Sequence, residues 1–155
     1  MIKLLYEMMK NAKRSDRKIA KIIGVSQPTI TRMRQRLEKA GYIRDYTVIP
    51  NLEKLGFEIA AFTFMTIANS NAKSENTNKW IESNPKIVFS ASGDGVNGKN
   101  SIMVSIHKDF TDYSKFMSEL GSKWSENIGN INGFLVPLRG DIQKHFSFKY
   151  LQPVL

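Results

Sequence analysis

A chain of 155 residues carries 23 Lys and Arg against 14 Asp and Glu, a formal net charge of +9, with two histidines and no cysteine. That inventory excludes disulfides and thiolate chemistry, argues against a structural zinc site, and points to a cytoplasmic address; no cofactor is expected. No run approaches the roughly 20 apolar residues that cross a bilayer, and Met1–Lys10 is amphipathic rather than a secretory leader, interrupted by Lys3 and Glu7.

The charge is unevenly placed. Residues 1–50 hold 12 Lys and Arg against 4 Asp and Glu, a net of +8, whereas residues 51–155 hold 11 and 10. Two domains follow, divided near residue 50, and the cationic first one is suited to nucleic acid, whose phosphates attract such a surface.

From the start, Ile2, Leu5, Met9 and Ala12 repeat at helical spacing and predict a first helix. Ser15 is placed to cap a second helix. Ala20 is small where a crossing helix must come close, and Gly24 marks a corner where a positive φ is cheap without a Cβ. Ser26 caps a third helix, with Pro28 in its first turn, where a missing N–H does little harm. Val25, Ile30 and Met33 are the apolar residues expected to lock the third helix onto the second. This is the spacing of a DNA-binding helix-turn-helix.

At about 100° per residue, Ile30, Met33, Leu37 and Ala40 form the buried stripe of the third helix. Thr31, Arg32, Gln35 and Lys39 fall opposite, with Pro28 at the start, where long donors and amides reach base edges. Arg34 and Arg36 flank the stripe and are expected to clamp phosphates. Ala40-Gly41 ends the helix, Tyr42–Ile49 alternates as a strand, and Pro50-Asn51 breaks the chain.

The remainder reads β-α-β-β-α-β. Strands are expected over 58–68, 86–91, 101–107 and 132–138, with helices over 72–83 and 110–124. The second helix of this domain shows a stripe of Phe110, Tyr113, Met117, Leu120 and Trp124, interrupted by Gly121. Residues 142–150 are expected to add a fifth strand at an edge. Helices on one face of a four-stranded antiparallel sheet make a ferredoxin-like plan, so the fold class is α+β. In the first strand Ile59, Met65 and Ile67 share one face and Phe62 and Phe64 the other. If helices cover the first, a second copy of the chain is the economical cover for the phenylalanines, which predicts a homodimer.

The residues that carry the helix-turn-helix also resemble a known family. Lys18-Ile-Ala, Gly24-Val-Ser-Gln-Pro-Thr-Ile, Arg36-Leu-Glu-Lys-Ala-Gly-Tyr-Ile, Asp45-Tyr-Thr-Val-Ile-Pro-Asn and Leu55-Gly56 are similar, in order and spacing, to the Lrp/AsnC, or feast/famine, transcriptional regulators. The resemblance spans nearly the whole chain. It implies a winged helix-turn-helix on double-stranded DNA over residues 1–50. Residues 51–155 would be a ferredoxin-like domain that binds an effector such as an amino acid and dimerises, often further to octamers. By motif match the DNA-reading positions are Ser26, Gln27, Pro28, Thr31, Arg32 and Gln35.

The family usually shows Thr-Gly, a short gap and then an Asp opening the third strand. Here Ser92-Gly93 or Asn97-Gly98 stands for Thr-Gly in a longer loop, Asn100 or Ser101 falls near the place of the Asp, and Asp94 is a substitute on the other side of the turn. Gly93, Asp94, Asn97, Gly98, Asn100 and Ser101 are therefore the candidate effector residues. Two alternatives use the same plan. One is an enzyme similar to the sirohaem decarboxylases, for which His107, His145 and Arg139 are the candidates, although no catalytic spacing supports it and no catalytic residue is assigned. The other is a non-specific architectural DNA-binding protein.

Overall fold

The computed structural model describes residues 1–68, 71–124 and 126–151. It divides into two compact units, Met1–Ile49 together with Lys144–Leu155, and Pro50–Gln143. Residues 144–151, expected from sequence in the second domain, group with the first unit.

Three helices build the first unit: α1 (Ile2–Lys10), α2 (Asp16–Ile23) and α3 (Gln27–Lys39). Their core is Leu4, Met8, Ile19, Ala20, Ile30 and Leu37, with Leu5, Ile23, Met33 and Ile43 packed against it. Ser15 Oγ accepts from Lys18 N at the start of α2. Gly24 ends α2 in the left-handed region at φ 82°, the conformation its missing Cβ allows.

Several expectations need correction. Leu4 and Met8, not Ile2 and Ala12, are the buried side of α1, because α1 stops at Lys10 and its contact face is one residue round from the apolar repeat. Val25 lies on the outside of the corner and is exposed, as is Ala40 beyond the end of α3. Residues 42–49 form no strand, since a strand needs a hydrogen-bonding neighbour and the described residues of this unit contain none.

The second unit is an antiparallel sheet in the order β2-β3-β1-β4, built from β1 (Ile59–Ile67), β2 (Ile87–Ser92), β3 (Ser101–His107) and β4 (Ile128–Pro137). Helices α4 (Asn71–Ser83) and α5 (Phe110–Trp124) complete it. Met65, Met103, Phe116, Leu120 and Ile128 form the core, with Trp80 stacked on Phe116 at 5.9 Å between ring centroids. Phe116 takes the place that the apolar stripe assigned to Phe110, which is exposed, and α5 runs through Gly121 to Trp124. At Gly133 the Tyr113 hydroxyl lies 2.8 Å from where a Cβ would stand, so a larger residue there would have to displace that ring.

Strand β4 begins four residues earlier than expected. Ile128 and Ile131 both pack into the core although three residues apart, which regular alternation forbids. A bulge between Gly129 and Asn132, with Asn130 at φ 48°, inserts the extra residue that brings both inward. The expected fifth strand at 142–150 is absent; the segment bends and ends in a single 3₁₀ turn, Phe148–Tyr150, packed against α1.

One face of the sheet is buried against the helices and the other is apolar and open. Beneath the helices β3 places Ser101, Met103, Ser105 and His107, all buried, while Ile102, Val104 and Ile106 point to the open side. On that side Phe62 lies between Val104 and Phe134, and Phe64 beside Ile102. Phe134 is 65% exposed, so this face of a single chain meets water.

Candidate nucleic-acid interface

Helix α3 starts on Ser26, whose Oγ accepts from Thr29 N at 3.3 Å and lies 2.8 Å from the Thr29 hydroxyl. The cap and Pro28 in the first turn fix where the helix begins, and Ile30 and Leu37, both fully buried, fix how it is rotated. That rotation leaves Gln27, Pro28, Thr31, Arg32 and Gln35 lining one open groove. All five are exposed, as are Arg36 and Lys39 further along. Arg32 Nε reaches the Pro28 carbonyl only at 3.4 Å, a weak tether that leaves the guanidinium able to engage a partner.

Arg34 departs from its expected role as a phosphate clamp. Its Nε donates to Asp16 Oδ1 at 3.1 Å and its Nη2 to the same oxygen, so it braces α3 against the first turn of α2. The other oxygen, Oδ2, accepts from Thr31 Oγ1 at 2.9 Å. Arg34 Nη1 also reaches the Tyr46 hydroxyl at 3.4 Å, and that hydroxyl donates to Glu38 Oε1 at 2.6 Å. Burial works against ionising Asp16, but the hydrogen bonds from Arg34 and Thr31 and the guanidinium charge outweigh it, holding the carboxyl below its usual range. Burial also works against the Arg34 charge, and the bonds to Tyr46 and Asp16 reverse that too. Angular reading of one helix cannot reveal this, because Asp16 is 18 residues away in sequence and becomes a neighbour only when the helices cross.

In the second unit the candidate effector loop closes on itself. Gly93 N donates to Asn100 O at 3.0 Å and Gly95 N to Lys99 O at 2.8 Å, while Asn97 and Gly98 take positive φ. Gly98 O accepts from Thr66 Oγ1 at 3.0 Å. Asn100 and Ser101, expected at the place of an effector-binding Asp, are instead committed to the frame. The Asn100 amide both accepts from and donates to the backbone of Ile67. Ser101 is buried, with its Oγ donating to Ala91 O at 3.4 Å. Asp94 and Asn97 are exposed. A shallow cleft of about 190 Å³ lies elsewhere, lined by Asn78, Ile81 and Glu82 of α4 and Ser90–Ser92 of β2; Ser101 is the one candidate that borders it.

His107, weighed as a catalytic residue, has no exposed surface. Its Nε2 lies 2.8 Å from Ser105 Oγ, and its ring packs against Tyr113 and Phe116. Burial lowers its pKa, Lys86 adds to that, and Asp112, 3.7 Å from Nδ1, opposes it. Arg139 faces Glu58 at 3.7 Å, and His145 is exposed in the other unit.

Residues 1–44 match the family model described as winged helix-turn-helix DNA-binding. The chain is 28% identical over 138 residues to the HTH-type transcriptional regulator Ptr1 of Methanocaldococcus jannaschii, covering 88% of this chain and 87% of that protein. It is 30% identical over 84 residues to the leucine-responsive regulatory protein of Rhizobium meliloti, covering 51% of this chain and 54% of its relative. The match thus spans about half the length of that second protein. Among solved structures, AsnC of E. coli superposes with a TM-score of 0.73 at 17% identity, over 93% of both chains. The chain is similar to regulators of the Lrp/AsnC type and has their fold. Another structure of the same fold, the Neisseria meningitidis regulator NMB0573 in complex with L-Met, superposes with a TM-score of 0.80 at 16% identity, over 94% of this chain and 92% of that one. The Lrp/AsnC fold accounts for the whole element order, from the three helices to the four-stranded sheet.

Proposed function

We infer that this protein is a cytoplasmic, sequence-specific DNA-binding transcriptional regulator of the Lrp/AsnC type that acts as a homodimer. The observation that carries the reading is the exposed face of α3. Gln27, Thr31, Arg32 and Gln35 sit together on an open groove, on the unit that holds all of the net positive charge, with 14 Lys and Arg against 4 Asp and Glu. Amides and guanidinium groups at that face have the reach and donor pattern for base edges in the major groove, while Arg36 and Lys39 suit phosphates. Ser26 contributes through the cap, since its hydroxyl is occupied by Thr29.

The open face of the sheet supports the dimer. Phe62, Phe64, Ile102, Val104 and Phe134 are contiguous across three strands, and the same face of a second copy is self-complementary by symmetry. Two recognition helices would then read half-sites about one helical turn, roughly 34 Å, apart or a multiple of it. Further assembly, to octamers, rests on the resemblance to that family alone.

A small effector is part of the proposal because a structural relative is named as an L-methionine complex. With Asn100 and Ser101 spent on the frame, Asp94 is the exposed carboxylate of the loop that can meet an ammonium group.

Binding of the full chain to a selected operator tests the reading. Arg32→Ala and Gln35→Ala relax base preference, while Arg36→Ala weakens all duplexes alike and lowers the salt slope by about one. Identical behaviour of the two classes, or indifference to duplex DNA, refutes it.

A further inference from the structure

The hydroxyl of Thr31 has one proton, and the fold has already placed it. Both partners of Thr31 Oγ1 are acceptors, Asp16 Oδ2 at 2.9 Å and Gln27 O at 3.3 Å. The carboxylate is the nearer and the charged one, so it takes the proton. Asp16 is itself held in place by Arg34, whose side chain and that of Asp16 are each only 19% exposed. Thr31 meanwhile lines the open groove beside Gln27, Arg32 and Gln35. A hydroxyl whose proton is spent offers a partner only lone pairs.

We propose that Asp16 is a specificity-determining positioning residue, which turns Thr31 into a pure acceptor that reads an exocyclic amino group in the major groove. Only adenine N6 and cytosine N4 present such a donor there; guanine O6 and N7 and thymine O4 are acceptors that would meet the Thr31 lone pairs. Asp16 touches no base in this scheme. It selects adenine or cytosine by controlling a proton on its neighbour, and Arg34 keeps the carboxylate ionised and aimed.

The proposal rests on α3 being the reading helix, and the experiment separates the two. Binding sites are selected from a randomised duplex pool with the full chain and with Thr31→Val, Asp16→Asn and Arg32→Ala. Thr31→Val is isosteric, lies on the exposed face and leaves the Asp16–Arg34 pair intact, so folding is preserved. The expected result is that Thr31→Val abolishes the preference at one position of each half-site, by about tenfold in relative affinity, and that the wild type has adenine or cytosine there. Asp16→Asn, whose amide can donate to Thr31 and free its proton, moves the same position towards guanine or thymine. A wild-type preference for guanine or thymine at that position overturns the proposal. So does a Thr31→Val selection identical to wild type while Arg32→Ala still loses a position, and in that case the reading helix stands without it. Failure of every protein, wild type included, to select any sequence overturns both.

Discussion

The carboxamide of Asn100 pairs with the backbone of Ile67 as a strand residue would, accepting from Ile67 N at 2.7 Å and donating to Ile67 O at 2.9 Å. The side chain thereby extends the β1–β3 ladder past the end of β3, with Asn100 N donating to Met65 O at 3.1 Å as well. Asn100→Asp keeps the size but removes the donor and turns a carboxylate oxygen towards the Ile67 carbonyl. It is expected to destabilise the second unit by about 1–3 kcal/mol, seen as a lower denaturant midpoint. A midpoint unchanged from wild type would show that the bracket contributes nothing.

Arg34 and Arg36 sit two residues apart on one helix and are expected to behave differently. Arg34→Ala strips the bonds from Asp16 and should cost about 1–2 kcal/mol of stability in the first unit, whereas Arg36→Ala should leave stability within about 0.5 kcal/mol. Thermal unfolding of both variants in the absence of DNA makes the comparison. Equal melting temperatures would return Arg34 to the class of surface cations.

The Asp16 brace also has a pH signature. The carboxyl titrates lower in the folded chain than its ordinary value of 3.8, so its contribution is complete above that value and is lost as pH falls through the folded one. Arg34→Ala should flatten the acid limb of the stability curve below pH 4, measured by urea unfolding across that range.

His107 gives a second, separate pH dependence. Burial depresses its pKa below the ordinary 6.5, with Lys86 acting in the same direction and Asp112 against it. The unfolded chain therefore binds this proton more readily than the folded one. Stability from the neutral imidazole is complete above about pH 6.5 and declines below it, towards the folded pKa. His107→Gln should lose the part of the stability slope that lies between pH 6.5 and the acid limb. A slope shared by wild type and variant would assign it elsewhere.

The apolar open face predicts an assembly result. Phe62 faces Val104 on one side and Phe134 on the other, and a charge placed there would have to be buried if two sheets meet. Wild type should sediment as a dimer or larger at micromolar concentration, and Phe62→Glu as a monomer with unchanged far-ultraviolet circular dichroism. A monomeric wild type would remove the dimer from the proposed function.

What could be read in the sequence were features whose cause is local. Gly24 needs its positive φ at the corner, Ser15 and Ser26 cap the helices that follow them, and the bounds of β3 and α5 follow from alternation and period. The exposed face of α3 was legible for the same reason, since burial of Ile30 and Leu37 sets the rotation of every other residue on that helix. Tertiary structure decided whatever depended on a distant partner. It turned Arg34 from a phosphate clamp into a brace because crossing helices bring Asp16 beneath it, and it spent Asn100 and Ser101 on strands more than nine residues away in the chain. It left residues 42–49 and 142–150 without strand pairing, because backbone pairing belongs to two segments and alternation reports only one.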